Sequence, residues 1–286
     1  MLQLEFMPER TRRVFEKLSQ EPLMKGFVLI GGTALSIQIG HRLSEDLDFW
    51  LPGAAMPTGC VDAILSNLGD AGFSHEFITP AWQLTQARIN GIDLLSQSRD
   101  HTINGAKVAF FARDDIPYRH FARMGRIEDQ ASFSIATEET IFNMKSWLIS
   151  KRVRSRDLYD LMALMERGKT IQDILDAGTG ADPSFQREYA KEVLLGNVPL
   201  DAEDEGFEAI NLDTTIDDVR QYFLTSVNEY EVSVAAAIRR AEGALGGRQS
   251  QFKSAFRSCL AKPEFNRTER HPTAGEDKSR DSYGFL

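Results

Sequence analysis

Two aspartates one residue apart, Asp46 and Asp48, lie in the run GGTALSIQIGHRLSEDLDFW at residues 31–50. In an extended strand residues two apart project from one face, so both carboxylates point the same way. Like charges side by side repel unless a cation lies between them. Hard carboxylate oxygens at this spacing suit Mg²⁺, which takes one or two protein carboxylates and completes its shell with substrate phosphates. Upstream, the apolar run Phe27-Val28-Leu29-Ile30 reads as a buried strand that ends at Gly31 and Gly32. Residues 33–39 then read as a short helix. A strand, a Gly-Gly turn and a helix start make an anion site, because free N–H groups and the helix dipole face it. A phosphate cradle beside a metal pair points to phosphoryl or nucleotidyl transfer. A Gly-Gly turn alone is a weak signal, and paired aspartates near a turn are commonly solvated or capping residues. It is the composite that carries the reading.

Three more charged residues stand out. Asp93, in RINGIDLLSQ, faces away from Ile92 and Leu94 if that stretch is a strand, and is a third carboxylate or a solvent-facing neighbour of a turn. On a helical wheel Ile141, Phe142, Met144, Leu148 and Ile149 form an apolar arc that includes Lys145. A lysine there is costly unless its ammonium meets an anion or snorkels to water. In SRDLYDLMALM, Asp157 lies between Leu161 and Leu164, with Asp160 nearer the edge of the stripe. Asp157 in a first helical turn also favours the dipole, and Ser155 reads as the cap.

The elements that position these residues alternate helix and strand in the first part, and are mostly helical from about Asp114. Helices are expected over 8–20, 61–70, 137–151, 155–167, 183–195 and 216–245, and strands over 73–78, 82–89, 92–95 and 108–111. The stretch from Pro263 is polar, rich in Pro and Gly, and is expected to be disordered. With 286 residues, 42% hydrophobic and 26% charged, the chain holds one large domain or two smaller ones. Cys60 and Cys259 are isolated, which argues against a disulfide framework or a zinc site and fits a reducing, cytoplasmic setting. The N-terminus lacks a signal-peptide pattern, and no apolar run reaches the roughly 20 residues that span a bilayer. A net charge of −9 confines any nucleic-acid contact to a local patch.

The run at 31–50, together with ATEETIFNMKSWLISKRVRSRDLYDLMAL, resembles the AbiEii-type nucleotidyltransferases, toxins of abortive-infection and type IV toxin–antitoxin systems in the DNA polymerase β-like superfamily. The resemblance covers about Phe27 to Leu164; Gly-Gly-Thr replaces the Gly-Ser of the wider superfamily. It implies an α/β (α+β) fold, with a small mixed-sheet nucleotidyltransferase core over 1–130, a helical domain over 131–260 that contributes Lys145 and Asp157, and a tail at 261–286.

The resemblance also implies roles. Gly31, Gly32 and Thr33 would hold the triphosphate of an NTP; Asp46 and Asp48 would bind Mg²⁺, with Asp93 completing a second metal position. Lys145 would neutralise phosphate charge and Asp157 would orient Lys145 or the acceptor. Arg42 and Ser44, beside His41, can touch phosphate or serve as a structural ion pair and a turn hydroxyl. The acceptor it implies is an RNA 3′ end such as that of tRNA, and the implied partner is a cognate antitoxin. Lys151, Arg152, Arg154 and Arg156 form a basic cluster that can receive a phosphate backbone or remain a solvated loop. Transfer to a protein or small molecule, and a catalytically silent binding module, are the competing readings. If Lys145 is a lone charge on an apolar stripe, Lys145→Met is expected to leave stability unchanged or raised.

Overall fold

The computed structural model describes residues 2–128, 131–207 and 212–260. The described residues up to Ser233 form one compact unit and those from Val234 onward belong to a second. The tail expected to be disordered lies outside the described residues.

The first unit is built on a seven-stranded mixed sheet of order β3-β4-β5-β2-β1-β7-β6. The strands are β1 (Val28–Ile30), β2 (Leu47–Pro52), β3 (His75–Phe77), β4 (Ser98–Ile103), β5 (Ala106–Arg113), β6 (Arg126–Ile127) and β7 (Ser134–Ala136). The helices are α1 (Glu9–Leu18), α2 (Gly31–Ile39), α3 (Cys60–Asp70), α4 (Ala81–Ile89), α5 (Leu94–Gln97), α6 (Ile116–Phe121), α7 (Glu138–Leu148), α8 (Ser155–Glu166), α9 (Ile171–Ala181), α10 (Arg187–Leu194) and α11 (Ile216–Leu260). The α/β class agrees with the sequence reading. The sheet, however, continues to Ala136, past the boundary expected at 130, because β7 runs parallel to β1.

Each central strand is apolar for a reason of place. β1 is buried along its whole length, and the buried Phe110 ring lies 5.8 Å from Phe27, edge-on, and 5.8 Å from Phe49, stacked, between centroids. β5 alternates buried Val108, Phe110 and Ala112 with Lys107, Phe111 and Arg113 on the opposite face. Asn104 and Gly105, with φ of 46° and 78°, make the tight turn between β4 and β5 that both positive values require. No described helix is long and apolar enough to cross a membrane.

Two expected strands are helices. The 82–89 run follows Pro80, which presets the backbone for α4, and its Ala, Gln, Leu and Arg are good helix formers. The 92–95 run breaks at Asp93, whose side chain accepts from the Ser96 N–H and starts α5. Strand β4, SRDHTI, went unexpected because its polar residues hide the alternation that leaves His101 and Ile103 buried. Residues 137–151 and 155–167 do contain α7 and α8, and α7 packs against α2, α8 and α9.

Candidate active site

Asp48 is placed by strand register. β1 pairs antiparallel with β2, so Ile30, the last residue before α2, lies opposite Asp48. Gly31 follows with φ of 77°, and a Cβ there would lie 2.6 Å from Asp48 Oδ2. A side chain at Gly31 would therefore be strained and would press on the carboxylate. At Gly32 a Cβ would lie 2.2 Å from Arg42 Nη2. Both glycines are thus required by the side chains packed against them. The first turn of α2 has no side-chain cap, so its N–H groups remain open to an anion.

Asp46 and Asp48 line a cavity of about 340 Å³ with Gly31, Gly32, Ser44 and Lys107. Among the described residues, neither carboxylate has an ion-pair partner within salt-bridge distance. Burial, reinforced by the neighbouring charge of Asp46, raises Asp48 to about 6. Burial also raises Asp46, against the opposing pull of Lys107. Two crowded carboxylates without partners are a donor pair that could hold a cation. No cluster of three or more His, Cys, Asp or Glu suited to a metal occurs among the described residues, so the pair would be completed by substrate oxygens. That donor set fits Mg²⁺.

The opposite wall carries α7 and α8. Lys145 is buried, and its Nζ lies 2.6 Å from Asp157 Oδ1 and 2.6 Å from Asp160 Oδ2. Asp157 Oδ2 accepts from Arg152 Nε at 2.8 Å. Asp160 also accepts from Arg42 Nε at 2.6 Å and Nη2 at 3.0 Å, and lies 2.7 Å from His41 Nε2. Burial alone would raise Asp157; Lys145 and Arg152 outweigh it and hold the carboxyl at about 2. Arg42 and Lys145 likewise hold Asp160 well below the usual range against its burial. Burial alone would lower Lys145, but the two aspartates raise it. The lysine is therefore the bridge between two carboxylates, and the picture of a lone charge on an apolar stripe is corrected.

Several expectations change with the geometry. Asp160 is fully buried at the centre of the network, where the wheel placed it near the edge, because the 41–42 loop covers that side of α8. Thr33 does not line the cavity: its hydroxyl bonds Ser44 Oγ at 2.8 Å and the Asp46 carbonyl, tying the loop to α2. Arg42 does line it, with its guanidinium clamped on Asp160. Asp93 is an exposed helix cap outside the cavity, and as a metal ligand it is corrected.

The basic cluster also divides. Lys151 lies 3.3 Å from Asp182 and Arg152 turns inward to Asp157. Arg154 lies 3.9 Å from Asp201 and 3.8 Å from Glu203, and Arg156 lies 2.8 Å from Glu205. Asp204 caps α8 by accepting from Ser155 N–H at 2.8 Å and Oγ at 3.0 Å. These side chains do not make the free basic patch the sequence suggested.

Sequence reasoning missed Asp160 as a site residue, although its spacing three residues after Asp157 places both on one helix face. It also missed the aromatic end of the cavity, formed by Phe111, Tyr118, Phe121 and Trp147.

The chain is 25% identical over 234 residues to an uncharacterized Aquifex aeolicus (strain VF5) protein, aq_aa25, spanning 78% of this chain and 97% of that one. A solved structure of a candidate nucleotidyltransferase from H. pylori aligns with a TM-score of 0.45 at 18% identity, over 80% of this chain and 98% of that one. MenT4, the nucleotidyltransferase toxin Rv2826c of Mycobacterium tuberculosis H37Rv, aligns with a TM-score of 0.42 at 16% identity, over 76% and 86%. The family description "Nucleotidyl transferase AbiEii toxin, Type IV TA system" matches residues 12–211, which include the glycine turn, the carboxylate pair and the Lys145–Asp157–Asp160 network. This chain belongs to the AbiEii family of nucleotidyltransferase toxins.

Proposed function

We propose that this nucleotidyltransferase moves an NMP from an NTP to a hydroxyl of an RNA 3′ end, such as that of tRNA, and does so with Mg²⁺ as the toxin of a pair with a cognate antitoxin. The observation that carries the transfer chemistry is the meeting of partnerless Asp46 and Asp48, the open N-terminus of α2 and the buried Lys145 in one cavity. Asp46 and Asp48 would hold Mg²⁺, which supplies charge neutralisation on the phosphates and makes the α-phosphorus more electrophilic. Gly31 and Gly32 let the backbone N–H groups approach the triphosphate closely. Lys145 presents positive charge where negative charge grows as the pyrophosphate leaves. Asp157 and Asp160 fix its ammonium from two sides, which preorganises it. Arg154 and Arg156, at the cavity rim, are the side chains that an acceptor backbone would meet.

One observation favours a second reading. The rim arginines already face Asp201, Glu203 and Glu205, and the chain carries a net charge of −9. A polyanionic acceptor must compete with those carboxylates, whereas a protein or small-molecule hydroxyl need not. Purified protein incubated with each labelled NTP, Mg²⁺, and either total RNA, total protein or a small-molecule extract separates the readings by which pool becomes labelled. Label on RNA, together with growth arrest that requires Asp46 and Asp48, supports the toxin acting on RNA. Label on protein or small molecules leaves the chemistry standing and overturns the acceptor.

A further inference from the structure

Tyr118, on α6, lines the same cavity and is only 8% exposed. Its ring is fixed edge-on against Trp50 at 5.2 Å, Phe121 at 5.7 Å and Trp147 at 6.0 Å between centroids. The Arg113 guanidinium covers it at 4.7 Å. The ring therefore has no freedom to turn its hydroxyl elsewhere. Its backbone N–H is used, donating to Asp115 at 3.3 Å. Among the described residues the hydroxyl has no hydrogen-bond partner, and it is not one of the fully enclosed polar atoms, so it remains open to water or a ligand. Arg152 and Asp48 line the cavity with it. Arg152 commits its Nε to Asp157, at 2.8 Å, and its Nη groups have no partner among the described residues.

We propose that the Tyr118 hydroxyl donates a hydrogen bond to a phosphate oxygen of the bound nucleoside triphosphate, alongside the Nη groups of Arg152, as a further substrate-contacting residue of the transfer reaction. An anionic oxygen satisfies a phenol and a guanidinium at once. A sugar carbon placed there would offer neither donor an acceptor. The proposal rests on the nucleotidyltransferase reading of the cavity and adds to it a donor outside the glycine turn, the carboxylate pair and the Lys145 network.

Tyr118→Phe tests it, because the variant removes one oxygen and keeps the aromatic contacts. Binding of NTP, of inorganic tripolyphosphate and of the free nucleoside would be measured by calorimetry with Mg²⁺, beside a thermal melt. The expected result is an unchanged melting midpoint, with affinity for both NTP and tripolyphosphate reduced roughly ten- to hundredfold and any nucleoside binding unchanged. A loss for NTP without a loss for tripolyphosphate would place the hydroxyl on the sugar or base and overturn the proposal. Unchanged affinities, or a fall in all three with a lowered midpoint, would overturn it as well. If wild-type protein binds neither NTP nor tripolyphosphate and transfers no label, the underlying reading of the cavity fails with it; if the wild type binds both, only the assignment of Tyr118 is at stake.

Discussion

Replacing Asp160 with Asn changes one charge and almost no volume, in a network where the charges are counted. Three cations, Arg42, Lys145 and Arg152, face two carboxylates, Asp157 and Asp160. Asp160→Asn leaves three cations against one carboxylate in a part of the molecule where Asp160 is 0% and Arg42 5% exposed. The amide oxygen can still accept from Arg42 Nε and His41, which lie 2.6 and 2.7 Å from Oδ1. The amide nitrogen would then meet Arg42 Nη2 and Lys145 Nζ, at 3.0 and 2.6 Å from Oδ2, donor against donor. Breaking a buried pair by removing one partner costs about 3–5 kcal/mol. For a unit of this size that lowers the melting midpoint by roughly 6–20 °C. Thermal and denaturant unfolding read it directly. The double variant Arg42→Met, Asp160→Leu restores an excess of a single cation, and is expected to recover most of the loss. A midpoint within about 2 °C of wild type for Asp160→Asn would refute the claim that this carboxylate holds α8, α7 and the 41–42 loop together.

The structure reverses the expectation for Lys145→Met. Asp157 Oδ1 loses a donor at 2.6 Å, while Arg152 and Arg42 still hold the two carboxylates, so a fall of roughly 1–3 kcal/mol is expected beside lost transfer; unchanged stability in a denaturant titration would favour the lone-charge picture. A pH dependence follows from Asp48. Its folded pKa of about 6 lies above the ordinary carboxylate value, so the folded state binds the extra proton, and this contribution to stability is present below about pH 4 and lost as pH rises through 6. Asp48→Asn in the absence of divalent metal is therefore expected to be more stable than wild type at pH 7 by at most about 3 kcal/mol. The two should be equal near pH 4, and a difference independent of pH would contradict the electrostatic cause.

The parts of the site legible in the sequence are those carried by local order. Gly31, Gly32 and Asp48 lie on consecutive elements and Asp46 at the end of the short loop that joins them, so spacing alone places them together. Lys145 and Asp157 were legible as charges on apolar helical faces. Their link to Asp160 was not, because that carboxylate is buried by the 41–42 loop, more than a hundred residues away. Thr33 has the hydroxyl of a phosphate binder but spends it within the fold. Asp93 was misread with its segment, since a strand assignment turned a helix cap into a facing carboxylate. Tyr118 sits in a six-residue helix with no flanking motif, and only tertiary packing brings it to the cavity.

The central claim is that Asp46 and Asp48 carry nucleotidyl transfer. It is tested most directly by labelled transfer from NTP with Mg²⁺, comparing wild type with Asp48→Asn in the acceptor pool that the wild type labels. The account predicts transfer by the wild type and a fall of orders of magnitude in the variant, while the variant remains folded and, without metal at pH 7, at least as stable. Equal labelling by the two proteins would contradict it.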